Sequence, residues 1–181
     1  MRVISGLKKG YKLKGPKGKD TRPTEDRIKE SLFNILGYIH GESIVLDLFA
    51  GSGSIGIEFL SRGSKKAYFI DRSYLSVKTI KENLGHTGLV EKSRVIKNDA
   101  IKSIKLLGNE NIKFNYIFVD PPYGKNLIID VLENLWEQGI LAEDGTIIIE
   151  HEKGLELEDN IFDFKKIDSR NYGSKSLSFY R

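Results

Sequence analysis

The sequence contains no cysteine in 181 residues. That excludes disulfides and thiolate metal sites, and it is compatible with a reducing, cytoplasmic location. Histidine is nearly as scarce. His40, His86 and His151 stand far apart without metal-ligand spacing, so no metal is expected. No apolar run approaches the ~20 residues of a membrane span. The opening Met1-Arg2-Val3-Ile4-Ser5-Gly6 lacks the apolar segment of a signal peptide. There is no repeat and no low-complexity stretch. A last absence is local: residues 1–19 hold Arg2, Lys8, Lys9, Lys12, Lys14, Lys17 and Lys19, but no acid. Such a segment points to phosphate, and so to nucleic acid.

What remains is ordinary for a globular protein, with 39% apolar and 30% charged residues. The expected organisation is a basic extension over residues 1–20, read as a small β-hairpin, and one domain over 21–181. The extension has too few apolar residues for a core of its own. No stretch reads as an interface seam, so a monomer is expected. Thr24 suits an N-cap, and Ile28, Leu32, Ile35 and Leu36 form the stripe of a following helix. Arg22 and Arg27 flank its start.

Five strand-like runs then alternate with helical stretches: Ile44–Phe49, Ala67–Asp71, Arg94–Lys97, Tyr116–Val119 and Thr146–Glu150. Two more strands follow, one centred on Phe162 and one at Leu177–Tyr180. Alternation predicts an α/β fold, a Rossmann-like seven-stranded sheet, mostly parallel, with an antiparallel edge pair. The apolar face of 126–138, Trp136 included, is assigned to the core.

The chemistry gathers where strands end. Asp120-Pro121-Pro122-Tyr123 follows an apolar strand. Proline fixes φ and donates no hydrogen bond, so the backbone there is stiff and its carbonyls are free to accept. A carboxylate, a rigid carbonyl and a ring suit a planar group bearing an NH2. Gly51-x-Gly53-x-x-Gly56 after the first strand matches the dinucleotide fingerprint. Asp47 just before it argues against a pyrophosphate, because an acid repels phosphate where bare N–H groups are wanted. An acid suits a ligand with an amino group and a sulfonium, which S-adenosylmethionine has. Asp71, 20 residues after Gly51, is placed to grip ribose hydroxyls. Asp99 suits either an adenine NH2 or a helix N-cap.

These motifs resemble those of class I S-adenosylmethionine-dependent amino-methyltransferases. More narrowly, Met1 to Gly6, Thr21-Arg22-Pro23-Thr24 with Arg27, Asp47 to Gly53, the Asp-Pro-Pro-Tyr and Tyr172-Gly173 resemble the bacterial guanine-N2 methyltransferases of 16S ribosomal RNA. The likeness covers essentially the whole chain. It implies the class I methyltransferase fold, S-adenosylmethionine as cofactor and an assembled or nearly assembled small ribosomal subunit as substrate. It implies catalytic roles for Asp120, Pro121, Pro122 and Tyr123, and cofactor contacts from Asp47, Phe49, Ala50, Gly51, Gly53, Asp71, Arg72, Asp99, Ala100 and Asp120. It implies RNA contacts from Arg2, Lys8, Lys9, Lys12, Arg22, Thr24 and Arg27. One departure is Asp71, where many relatives carry Glu; the shorter acid still binds ribose hydroxyls.

Other readings remain open. The tetrad serves any planar NH2, so DNA adenine and a protein glutamine amide are alternative acceptors. A nicotinamide-dependent oxidoreductase is disfavoured by Asp47. A non-catalytic RNA-binding module is disfavoured by the intact set of acids and glycines.

Overall fold

Every strand from the first to the fourth is followed by a crossover long enough for a helix, and the chain uses this to build a parallel sheet. The structure is a computed structural model that describes residues 1–15, 26–122 and 125–181. Arg22, Thr24 and Tyr123 lie outside the described residues. The elements are α1 (Asp26–Leu36), β1 (Ile44–Leu48), α2 (Ser54–Ser61), β2 (Lys66–Asp71), α3 (Tyr74–Thr87), β3 (Ser93–Lys97), α4 (Ala100–Asn109), β4 (Phe114–Val119), α5 (Lys125–Gln138), β5 (Leu141–Glu152), β6 (Asn160–Ile161), β7 (Phe164–Tyr172) and β8 (Lys175–Tyr180). The sheet order is β3-β2-β1-β4-β5-β8-β7-β6. β1 to β5 are parallel, and β8 enters antiparallel between β5 and β7.

Among the described residues the sheet has eight strands where seven were expected. The extra strand is β6, two residues paired with β7. Phe162, expected at a strand centre, instead turns the chain between them at φ 53°. Its ring stacks on Trp136 at 5.4 Å, and Trp136 donates to the Asp163 carboxylate at 2.7 Å. Trp136 is therefore a surface residue, 45% exposed, rather than core. Its indole N–H needs a partner, and the edge of the fold supplies one.

Each face of the sheet carries its own apolar layer. α1, α2 and α3 cover one face with Ile28, Leu32, Phe33, Phe59, Ile80 and Leu84. α4 and α5 cover the other with Ile104, Leu107, Val131 and Leu135. Strand alternation divides the residues: Val45 and Asp47 face the first layer, Leu46 and Leu48 the second. On α1 the buried stripe is Ile28, Lys29, Leu32 and Phe33, and the expected Ile35 falls on its exposed flank.

The amino-terminal segment lacks a core of its own and borrows this one. Val3 and Leu13 are buried in the first layer. Arg2 and Lys12 form an antiparallel bridge, and around it Leu13 N–H bonds the Met1 carbonyl at 3.1 Å, Val3 N–H the Tyr11 carbonyl at 3.0 Å and Gly10 N–H the Val3 carbonyl at 2.9 Å, so the two arms of the segment pair as a short hairpin. Further donors of the segment go to α2. The N–H groups of Ile4 and Ser5 bond the two carboxylate oxygens of Glu58 on α2, at 2.8 and 2.9 Å. Glu58 is fully buried and also accepts from Arg62 at 2.9 Å, with the Lys29 ammonium 3.6 Å away. Burial lowers the Lys29 pKa, and Glu58 opposes that shift. A buried charge is stable only when paired and hydrogen-bonded, and here the backbone of residues 4 and 5 completes the set.

Candidate active site

The site occupies the carboxyl rim of the parallel strands, beginning with the loop after β1. Phe49 adopts a left-handed φ of 63°, and the Ala50 N–H then reaches the Ile70 carbonyl at 2.8 Å. Gly51 and Gly53 follow at φ 57° and 77°, values that side chains rarely adopt. A Cβ on Gly51 would meet nothing closer than the Phe49 carbonyl oxygen at 3.9 Å. The loop is thus an open cradle above a fixed backbone. Gly56 has the opposite reason: its Cβ would lie 2.3 Å from the Phe69 ring, so α2 packs on β2 only through a glycine.

Two acids hold the cradle. Asp71, half-buried at the end of β2, accepts from Gly51 N–H at 2.9 Å and from Ser73 N–H at 2.8 Å, one bond per carboxylate oxygen. Lone pairs remain on both oxygens for ligand hydroxyls. Asp47 is buried and accepts from Gly56 N–H at 3.0 Å. Burial pushes its carboxyl up to about 8; the Gly56 N–H works against this, while the Asp120 and Asp71 charges add to it. A nearby cation would favour the ionised form of such a carboxyl, and a phosphate would not. The residues present therefore fit S-adenosylmethionine.

Asp120 stands one residue past β4, half-buried, with Pro121 half-buried and Pro122 exposed. It shares the sheet face of Asp47, because β1 pairs with β4 in the register Asp47↔Phe118 and alternation brings Asp120 to the side of Phe118. Burial pushes Asp120 up to about 7, Glu150 adds to this, and Lys175 opposes it. The rim therefore places an acceptor carboxylate one strand away from the glycine cradle.

The remaining predicted residues spread along the same rim or away from it. Asp99 caps α4, its carboxylate accepting from Lys102 N–H at 3.2 Å, and it stays exposed. Ala100 is buried behind it, and Arg72 is exposed. Among the basic candidates, Lys9, Lys12 and Arg27 are exposed. Lys8 is half-buried, with its ammonium 5.8 Å from the Tyr11 ring. Arg2 is turned toward Asp26 at 3.5 Å. Sequence reasoning gave no role to Glu150 or Lys175. The signal was available for Glu150, an acid closing a run of three isoleucines as Asp120 closes its own apolar strand. Lys175 had none, because its place depends on an antiparallel partner.

A parallel sheet in the order 3-2-1-4-5 with an antiparallel insertion beside the fifth strand, a glycine cradle after the first and acids along the rim define the class I methyltransferase fold. A solved structure described as "Putative methyltransferase yhhF from Escherichia coli" superposes with a TM-score of 0.85 and 30% identity, over 99% of this chain and 96% of that one. The chain belongs to the family described as "Conserved hypothetical protein 95", whose model matches residues 1–181. Among its relatives, "Putative rRNA methyltransferase YlbH" of Bacillus subtilis is 40% identical over 181 residues, all of this chain and 98% of the relative. "Ribosomal RNA small subunit methyltransferase D" of Haemophilus influenzae is 38% identical over 155 residues, covering 84% of this chain and 79% of the relative.

Proposed function

We infer that this protein is an S-adenosylmethionine-dependent methyltransferase of small-subunit ribosomal RNA, acting on the exocyclic N2 of a guanine. The observation that carries the reading is the placement of Asp120-Pro121 one strand away from the Gly51 cradle, on one face of one rim. S-adenosylmethionine, when bound, supplies a methyl group on a sulfonium leaving group, so no covalent enzyme intermediate is needed. Gly51 and Gly53 would lie under the cofactor, Asp71 would accept its ribose hydroxyls, and Asp47 would answer its positive charge. Phe49, Ala50, Arg72, Asp99 and Ala100 complete that end of the site.

Guanine N2 is a poor nucleophile because its lone pair is delocalised into the ring. The Asp120 carboxylate and the Pro121 carbonyl would each accept one of its N–H bonds and favour the pyramidal nitrogen. Pro122 keeps that carbonyl rigid, and Tyr123 would stack on the base. Positioning and preorganised acceptors supply most of the rate. The proton on N2 becomes acidic only as the N–C bond forms, and Asp120 or solvent then takes it. The base must leave its stack to enter, which fits an unpaired loop nucleotide.

Lys8, Lys9, Lys12, Arg22, Thr24 and Arg27, with Arg2, would hold rRNA phosphates and fix the register of docking without reading sequence. An assembled or nearly assembled small subunit is the proposed substrate. The protein would act as a monomer in the cytoplasm, where such subunits are found. Among the described residues no helix is long and apolar enough to cross a membrane.

The test offers tritiated S-adenosylmethionine with three acceptors: small subunits from cells lacking the protein, protein-free rRNA, and duplex DNA. Label recovered as N2-methylguanosine from the subunits is the expected result. Label in DNA adenine would keep the cofactor site and overturn the acceptor.

A further inference from the structure

Asp120 is not alone on its stretch of rim. β4 and β5 are parallel in the register Val119↔Ile149, so the next residues of the two strands, Asp120 and Glu150, stand side by side. Alternation puts both on the face of Phe118 and Ile148. Glu150 is buried, its side chain 1% exposed, and the Lys175 ammonium meets its Oε1 from the neighbouring β8. Lys175 pairs with Glu152 across that ladder, one pleat beyond Glu150, so its side chain reaches back over the rim. Two carboxylates and one ammonium thus lie in a row across three adjacent strands, next to the proposed acceptor seat. A buried ion pair adds little stability over a well-packed apolar pair of similar volume, so packing alone does not call for this one.

We propose that the Glu150–Lys175 pair is a positioning device for methyl transfer, which sets the charge carried by Asp120 and so the pH range over which the acceptor amine is gripped. The inference rests on the proposed function. It assigns the pair no contact with substrate. Among the described residues, the charged groups that face Asp120 are Asp47 from β1, Glu150 from β5 and Lys175 from β8. Glu150 repels a second negative charge and Lys175 attracts it. The accepting form of Asp120 is the ionised one, so turnover falls as the pH drops and Asp120 takes up a proton.

The two partners therefore push the acidic limb of the kcat–pH profile in opposite directions. Glu150→Gln moves it to lower pH, and Lys175→Met moves it to higher pH, each by about one pH unit. Glu150→Gln/Lys175→Met returns it close to the wild-type position, and Lys175→Arg, which keeps the cation, leaves it there. A purely structural pair would lower turnover at every pH without moving the limb, and that result would overturn the proposal. A limb that moves the same way in both single variants would overturn it too. A second readout needs no substrate: the carboxyl carbon of Asp120, labelled with carbon-13 and assigned through Asp120→Asn, titrates by NMR with the same opposite shifts. Should the wild-type protein methylate no acceptor, the proposed function falls, while the NMR titration still decides the charge coupling.

Discussion

Asp47 and Asp120 sit on adjacent strands and on the same face of the sheet, and both carboxyls are pushed up by burial. Their surroundings are otherwise opposed. Asp47 is sealed beneath the glycine loop, and the α2 backbone gives it one donor. The groups that build its half of the site, Gly51, Gly56 and Asp71, lie within 24 residues of it along the chain. Asp120 is half-open to solvent, and its charged neighbours come from β5 and β8, 30 and 55 residues further on. One half of the site is a rigid backbone device built locally. The other is a cluster of charges assembled by the topology, the device proposed above to set the charge of Asp120. In the proposed function the first half holds a cofactor shared by many enzymes, and the second an acceptor group that must be held and released.

The sharpest way to break that contrast is Asp120→Ala. Turnover should fall about a hundredfold or more, the usual cost of removing a preorganised transition-state interaction. The affinity for S-adenosylhomocysteine, measured by isothermal titration, should barely change. Equal damage to both quantities would mean that the two halves are one unit.

Gly56→Ala probes the local half. The new methyl carbon would lie 2.3 Å from the Phe69 ring, which is packed inside the first layer and has no room to withdraw. Overpacking of this kind costs about 1–3 kcal/mol. The melting temperature should drop by several degrees and cofactor affinity should fall with it, since the same helix start holds Asp47. An unchanged melting point would show that α2 can shift, and the cradle would no longer count as rigid.

Asp47 itself adds a dependence on pH. Its carboxyl rises from 3.8 to about 8 on folding. The folded protein then holds a proton that the unfolded chain gives up, so this group's contribution is complete at low pH and is lost as the pH rises toward about 8. The slope is at most about 1.4 kcal/mol per pH unit. A cationic ligand would reverse the penalty by favouring the ionised form. The thermal shift produced by S-adenosylmethionine should therefore be larger at pH 8 than at pH 6. Binding at pH 7 should release a proton, seen as different titration heats in phosphate and Tris. Identical shifts at both pH values would separate Asp47 from the cofactor.

The contrast between the halves also explains what was legible in the sequence. The glycine loop, Asp47 and Asp71 were readable because spacing along one βα unit fixes their geometry. Five of the strands were readable for the same reason, as apolar runs separated by helical stretches. The place of Asp120-Pro121-Pro122 at the carboxyl end of a strand was readable because an apolar run stops there at an acid and two prolines. The pairing of Glu150 with Lys175 was not, because it depends on β8 inserting between β5 and β7, a non-local event that leaves no local spacing. Ile35 and Trp136 misled for a related reason: periodicity marks a stripe, but its width is set by what packs on it. Phe162 read as a strand centre because aromatic residues favour strands, whereas here a tight turn carries it.

The basic segment yields the smallest effect and requires the most care. Deleting residues 1–19 would remove Val3 and Leu13 from the first layer and strip two N–H donors from buried Glu58, so weaker binding would say nothing about phosphate. Lys9→Ala/Lys12→Ala avoids this, since both side chains are exposed. For each phosphate that a lysine no longer neutralises, the plot of log affinity against log salt should flatten by about 0.7–0.9. Binding of small subunits at moderate salt should weaken a few-fold, while the melting point and the affinity for S-adenosylhomocysteine stay put. A salt slope that does not move would remove the segment from the docking surface and leave it as a structural clasp on α2, an extension of the cofactor half rather than a reader of RNA.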